Sequence, residues 1–202
     1  MRISNVRVYD LEESIIASGF PMTAMFDEVD FCDYVDGLKD GKYQEAIARA
    51  IRLAAAPDGS GHRNFCSGIL VSLNVTGSNA WWMQMERYHF VQIVSSQSKM
   101  HRLKKMVQLG DMPLVNPATV EHLRVLLGRL ERGEISEEDF IYECPVGLQL
   151  TARITTNYLQ LRTIYVQRRN HKLSEWRDFC EWIASLPYAR ELITLEDAAD
   201  AR

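Results

Sequence analysis

Residues 69–99 read ILVSLNVTGSNAWWMQMERYHFVQIVSSQSK. From the start of this run Ile69, Val71, Leu73 and Val75 alternate with Leu70, Ser72, Asn74 and Thr76, two faces of different polarity, and predict a strand. Gly77-Ser78-Asn79 predicts a turn and an N-cap for a helix over about 80–90. Trp81, Met85 and Tyr88 would share one side of that helix, with Gln84 and Arg87, three apart, on another. Beyond residue 91 the periodicity weakens, and Ser95 to Arg102 brings hydroxyls, an amide and cations together.

On the N-terminal side, Ile3, Val6 and Val8 predict a first strand over 2–10, followed by an acidic passage of short helices and loops from Glu12 to Asp40. Tyr43, Ile47, Ile51 and Ala54 recur at helical spacing over 41–55, and Pro57-Asp58-Gly59 ends that helix. On the C-terminal side, Pro113 and Pro117 bracket the entry to a helix with Val120, Leu123, Leu127 and Leu130 on one stripe. Ser136-Glu137-Glu138 caps a short helix. After Pro145, Ile154, Tyr158, Leu161 and Tyr165 predict a long helix through 152–169, and a last helix runs from about Ser174 to Ser185 before Pro187. One or two sheet-forming segments against several long helices make an α+β protein. No repeat, low-complexity tract or Gly/Ser linker divides the chain, so residues 1–202 are expected to form a single domain.

The chain has 202 residues, with 23 Lys+Arg against 27 Asp+Glu and a net charge of −4, which argues against a general nucleic-acid binder. The N-terminal residues lack the apolar core of a signal peptide and no run of 18 apolar residues occurs, so a cytoplasmic location and no membrane partner are expected. Cys32, Cys66, Cys144 and Cys180 are widely spaced and read as reduced, mostly buried thiols. Neither they nor His62, His89, His101, His122 and His171 show metal-ligand spacing, and no metal is expected. With no basic partner identifiable nearby, Cys66 reads as a core residue and not a nucleophile. His122 reads as a surface residue, and Trp81, Trp82, Trp176 and Trp182 as packing residues. The chain carries neither a Gly-rich phosphate loop nor a nucleophile elbow.

Charge is segregated. The 24 residues from Arg87 to Gly110 hold five basic residues (Arg87, Lys99, Arg102, Lys104, Lys105) and no acid; the 30 from Pro145 to Ser174 hold five more (Arg153, Arg162, Arg168, Arg169, Lys172) and no acid. The other 148 residues carry 13 basic and 27 acidic side chains. Two electropositive surfaces are expected. Two readings of Ser95 to Arg102 stand side by side: a solvated polar loop entering a basic helix end, or hydroxyl and cationic donors for a phosphate. Arg162 and Arg169, two helical turns apart, either hold an anion or face water.

The order His62, uncharged strand, turn, helix bearing Gln84 and Arg87, then serine-rich basic segment resembles the core of flavin-dependent thymidylate synthases. In that family a His precedes the strand, and a Gln lies three residues before the signature R-H-R-x-x-S-x-N-x-x-S-x-R-Y. Aligned without gaps, His62, Gln84, Arg87 and Lys99 fall on the family His, the Gln, the first Arg and the last Arg. Tyr88 and His89 stand where the family has His and Arg, Gln92, Val94 and Gln97 replace its two serines and asparagine, and Met100 replaces the final Tyr. Ser96 and Ser98 flank the position of the missing second serine. Thr155-x-Asn157 and Arg169 are similar to a later T-x-N and a nucleotide-binding Arg, with Arg168 a rival one residue away. The likeness spans about residues 40–185 and is greatest to a divergent phage and prophage branch.

The resemblance implies a mainly antiparallel sheet packed by long helices, and a homotetramer with sites shared between subunits. It implies reductive C5 methylation of a pyrimidine deoxynucleotide monophosphate, dUMP or a related one, in a bacterial or phage-infected cell. FAD would be the cofactor, with NADPH and methylenetetrahydrofolate as co-substrates. His62, Gln84, Arg87, Tyr88 and His89 would line the flavin. Ser96, Ser98, Lys99, Arg162 and Arg169 would bind the nucleotide, and Arg169 would act in catalysis by favouring the anionic ring. The alternative implied by the departures is a catalytically divergent nucleotide-binding protein, or a non-enzymatic interaction protein on the same fold.

Overall fold

Four strands, β1 (Arg2–Tyr9), β2 (Leu70–Ser78), β3 (Gln92–Ser96) and β4 (Gln149–Asn157), form one sheet in the order β1-β2-β4-β3. The computed structural model describes residues 1–23, 32, 36, 37, 43–57 and 59–195. In β2 the alternation begun at Ile69 is realised: Ile69, Val71, Leu73 and Val75 are all fully buried. Its pairing with β4 is antiparallel. Thr76 Oγ1 lies 2.8 Å from Thr151 Oγ1, Arg153 donates to Asn74 Oδ1, and Tyr158 N–H donates to Ile69 O, so partner numbers run in opposite directions. The expectation of an α+β fold with a mainly antiparallel sheet and packed helices therefore holds, with four strands in place of the one or two that periodicity marks.

Eight α-helices are described: α1 (Leu11–Ala17), α2 (Tyr43–Ala54), α3 (Asn79–Met85), α4 (Lys99–Leu109), α5 (Pro117–Glu131), α6 (Glu137–Tyr142), α7 (Tyr158–Arg168) and α8 (Ser174–Ala184). The helix expected through 152–169 is a correction. Its first part is β4, in which Leu150, Ala152, Ile154 and Thr156 are buried and the residues between them half-buried; α7 starts only at Tyr158, with Asn157 Oδ1 accepting from Gln160 N–H. Ile154 and Tyr158 both point into cores, which is why a spacing of four passed for helix. The turn expected at Gly77-Ser78-Asn79 is absent as well: β2 runs to Ser78, whose Oγ accepts from Trp81 N–H, and α3 follows directly. That helix ends at Met85, well short of residue 90, so Arg87 lies beyond it. Of the acidic passage expected from Glu12 to Asp40, most of residues 24–40 lie outside the described residues, as do residues 41 and 42 of the helix expected over 41–55 and Asp58 of its stop signal.

Two compact units emerge from the chain's contacts, Met1–Val6 with Leu73–Thr155, and Arg7–Ser72 with Thr156–Arg202. In the first, Trp81, Met85, Leu103, Leu123 and Phe140 make the core; in the second, Ile15, Ile16, Tyr158, Trp176 and Phe179 do. α6 is closed by a capping box in which Ser136 and Asp139 each accept from the other's backbone N–H. All four cysteines are free; Cys66 and Cys180 are buried and Cys144 partly so, whereas Cys32 is exposed, against the expectation for it. Among the described residues no helix is long and apolar enough to cross a membrane, and no three metal-ligating side chains cluster.

Candidate functional site

The first unit contains a cleft of about 250 Å³ bounded by α3 on one side and by the corner between β3 and α4 on the other, with Leu150 and Ala152 of β4 beneath. α3 is anchored to β4 and to the segment leading into it by its own polar groups. Asn79 N–H donates to Leu148 O and Trp82 Nε1–H to Leu150 O at 3.0 Å, and Asn79 Nδ2 donates to Cys144 Sγ at 3.5 Å. Met83 and Glu86, on the exposed side of α3 and at its C-cap, complete that wall.

A β-bulge builds the opposite wall. β3 pairs antiparallel with β4, Gln92 opposite Thr155 and Ile93 opposite Ile154, but after Val94 the register shifts so that Ser95 faces Arg153 and Ser96 faces Ala152. On a regular strand Ile93 and Ser96, three apart, would point to opposite faces; the extra residue puts both into the cleft. Gln97 continues the pairing with its backbone N–H on Thr151 O and its side-chain Oε1 accepting from Thr151 N–H, which leaves Nε2 as its donor end. α4 then begins at Lys99, with Ser98 as N-cap. The Ser98 side chain makes no capping hydrogen bond, and the first turn of α4 holds no acid but Lys99, His101 and Arg102. Cations at a helix N-terminus oppose its dipole, so this turn suits an anion that contacts both. Arg102, three residues beyond Lys99 and hence on the same face, has its Nε buried without a hydrogen-bond partner.

Ser96 and Lys99 thus line one cleft, with the exposed Ser98 between them in sequence. Among the residues expected at a flavin, Gln84 is half-buried and turns its Nε2 onto Ala80 O of its own helix. Arg87 and His89 are exposed, His89 standing edge-on to Phe90, while Tyr88 is buried in the core of the first unit. The sequence marks Asn79 only as a turn residue, Trp82 only as packing and Arg102 as one cation among five in an acid-free stretch, while Glu86 and the β4 floor carry no signal of their own.

The second unit holds the remaining expected residues. His62 is exposed at the edge of a pocket of about 420 Å³ whose wall is mostly apolar, with Ala17, Leu53 and Phe65 among its sides. Arg162 and Arg169 differ although both belong to one helical stretch. Arg162 is half-buried and donates to Ile193 O at 2.8 Å; Arg169, at the C-cap of α7, is exposed, with its guanidinium 5.8 Å from the Tyr165 ring. Arg168 lies over the ring of Trp176 at 4.8 Å. Arg169 borders a shallow cleft of about 360 Å³ with Arg177 and Glu181 of α8.

Cys66 is a core residue, as expected, but not for want of cations. Arg63 and Arg162 both lie close enough to favour its thiolate, yet burial outweighs them and pushes the thiol up to about 12. Arg63 donates to Ala54 O and Ala56 O, carbonyls at the end of α2, and so serves as a helix C-cap.

With this geometry in hand, comparison with known proteins gives a fold. A crystal structure of the flavin-dependent thymidylate synthase ThyX from Helicobacter pylori, complexed with FAD and dUMP, matches 98% of this chain and 99% of that one with a TM-score of 0.70 and 15% identity. A second crystal structure of ThyX from Helicobacter pylori with FAD and dUMP matches 98% of each chain, with a TM-score of 0.70 and 16% identity. The chain has the flavin-dependent thymidylate synthase fold. No family model and no curated protein matches the sequence. The shared fold spans nearly all of both chains.

Proposed function

We propose that this chain is a flavin-dependent thymidylate synthase-like protein that binds a pyrimidine deoxynucleoside monophosphate, dUMP or a related one, and methylates its C5 reductively. The observation that carries this reading is the start of α4, where Lys99 faces the cleft, the Ser98 hydroxyl is not engaged in capping and the first turn has no acid. The phosphate would take Lys99 as counter-ion and hydrogen bonds from Ser96 and Ser98. Arg169, exposed at the C-cap of α7, would hold a pyrimidine carbonyl and favour the anionic ring. Arg162 and Arg169 enter through a site shared between subunits of a homotetramer, as the resemblance implies.

Each unit by itself offers groups a flavin could use. In the first, exposed Arg87 and His89 suit an anionic pyrophosphate, with Gln84 three residues before Arg87; in the second, the mostly apolar pocket with His62 at its edge suits a flat ring. Bound FAD would supply the redox chemistry, with NADPH and methylenetetrahydrofolate as co-substrates. Tyr88 would support this region from the core. The reading places the protein in the cytoplasm, in the phage-type branch of the family.

A second reading, nucleotide binding without methyl transfer, is favoured by Gln84, whose amide is turned back onto Ala80 O, and by His89, a weaker cation where the family has Arg. A protein that instead holds a macromolecular partner would lose capture on substitution of Lys99 and Arg169, with no turnover to change.

Absorbance titration with FAD and calorimetric titration with dUMP test the proposal. Saturable flavin binding is expected. Because Lys99 is exposed, Lys99→Ala should leave the melting temperature unchanged while weakening nucleotide binding at least about tenfold, the scale of one charge-assisted hydrogen bond; Lys99→Arg should retain it. Nucleotide binding with no flavin affinity would select the second reading, and no response to any pyrimidine nucleotide would overturn both.

A further inference from the structure

Arg102 carries a charge that no neighbour neutralises. It is half-buried, its Nε is sealed from water, and its side chain forms no hydrogen bond or ion pair among the described residues. Its own helix offers no acid, since α4 reads KMHRLKKMVQL. Across from α4, Glu137 of α6 is taken by Lys104. A guanidinium partly withdrawn from water without a counter-ion costs stability, and a group of that kind is explained when a ligand supplies the missing partner.

The position of Arg102 indicates which ligand. Its backbone N–H donates to Ser98 O, so it stands one turn below the N-cap and three residues from Lys99. Helical side chains lean toward the N-terminus and cover the turn before their own, which carries Arg102 back toward Ser98 and Lys99. Lys99 and Ser96 line the cleft, and Gln97, whose Oε1 accepts from Thr151 N–H, keeps Nε2 as a donor there. We infer that Arg102 is the second cation of the phosphate site, a specificity residue that with Lys99 fits the cleft to a phosphate monoester over a diester, an assignment that rests on the nucleotide-binding reading above. A monoester carries a charge of about −1.5 to −2 at pH 7, enough for an ammonium and a guanidinium together. A diester carries one charge and leaves one of the two cations without a counter-ion.

The experiment titrates the full chain, Arg102→Met and Arg102→Lys by calorimetry with dUMP, with the phosphate methyl ester of dUMP and with inorganic phosphate, beside a thermal melt of each ligand-free protein. Wild-type protein is expected to bind dUMP at least about tenfold more tightly than the ester. Arg102→Met keeps the apolar stem and drops the charge. It should lose at least about tenfold in dUMP affinity, change ester affinity by less than about threefold, and melt at the wild-type temperature or above. Arg102→Lys should stay within about threefold of the wild type for dUMP. Dissociation constants for dUMP and the ester that are equal in the wild type, or that rise by the same factor in Arg102→Met, would overturn the inference and leave nucleotide binding standing. Unchanged dUMP affinity with a lower melting temperature in Arg102→Met would make Arg102 a structural residue and overturn it too. Inorganic phosphate bound by the wild type and lost in Arg102→Met, with no binding of dUMP, would keep the second cation and remove the nucleotide reading. Binding of none of the three would overturn both.

Discussion

Cys66 and His171 each lie beside two guanidiniums, at different depths, and the balance of burial against charge differs between them. Cys66 has two guanidiniums nearby and still holds its proton, because the thiol has no water to stabilise its charge. His171 is half-buried beside Arg168 and Arg177, and burial together with those two cations lowers its pKa. Its Nδ1 accepts from Leu173 N–H at 3.1 Å, at the N-cap of α8, a bond that only the unprotonated nitrogen can accept. The folded pKa lies below the unfolded value of about 6.5, so His171 contributes stability above that value and loses it as pH falls through the folded pKa. Urea unfolding midpoints should therefore fall further between pH 7.5 and pH 5 in the wild type than in His171→Asn, which keeps an acceptor but cannot titrate. Equal pH dependence in the two proteins would remove this role.

Among the elements, the bulge at Val94 has the largest consequence for the site. It lets Ile93 and Ser96 share a face and delivers the chain into α4 with Lys99 toward the cleft. Deleting Val94 restores regular pairing and leaves Ile93 and Ser96 two apart, still on one face. Because β3 is an edge strand and Val94 is exposed, the deletion should leave a cooperative unfolding transition and keep nucleotide binding within about threefold of the wild type, read by calorimetry beside far-UV circular dichroism. A loss of binding of about tenfold or more would show that the bulge itself, and not only the face it gives Ser96, is needed. The same bulge explains what could be read from sequence. β2 alternates without interruption and was legible, as were α2, α5 and α8 with their one-sided apolar stripes. β3 was not, since an exposed edge strand has no apolar face and its one extra residue breaks the period. β4 was mistaken for the start of a helix because Ile154 precedes Tyr158 by four across a strand-to-helix junction that has no turn residues. Ser96 and Lys99 were legible as chemistry in the serine-rich segment. Glu86 was not, because nothing in its spacing tells a carboxylate on a cleft wall from one facing open water.

Over the whole molecule, the net charge of −4 conceals ten cations in two acid-free stretches and a surplus of acids everywhere else. The two distributions predict different behaviour toward large and small anions. A polyanion must cover many side chains at once and would meet the acidic remainder as well as the basic segments, whereas a nucleotide needs only a few donors at one helix start. A DNA oligonucleotide is therefore expected to give no measurable binding near 0.15 M salt, while a pyrimidine deoxynucleotide stabilises the fold. At a ligand concentration a hundred times Kd, one site stabilises by about 2.7 kcal/mol. For a chain of this length that is a rise in Tm of about 5–10 °C. Raising salt from 0.05 to 0.5 M should shrink that rise without removing it, because Lys99 is exposed to screening whereas the half-buried guanidinium of Arg102 is less so. A shift insensitive to salt would place the ligand away from these cations, and a larger shift with the oligonucleotide than with the nucleotide would mean that the basic segments act together as a polyanion surface.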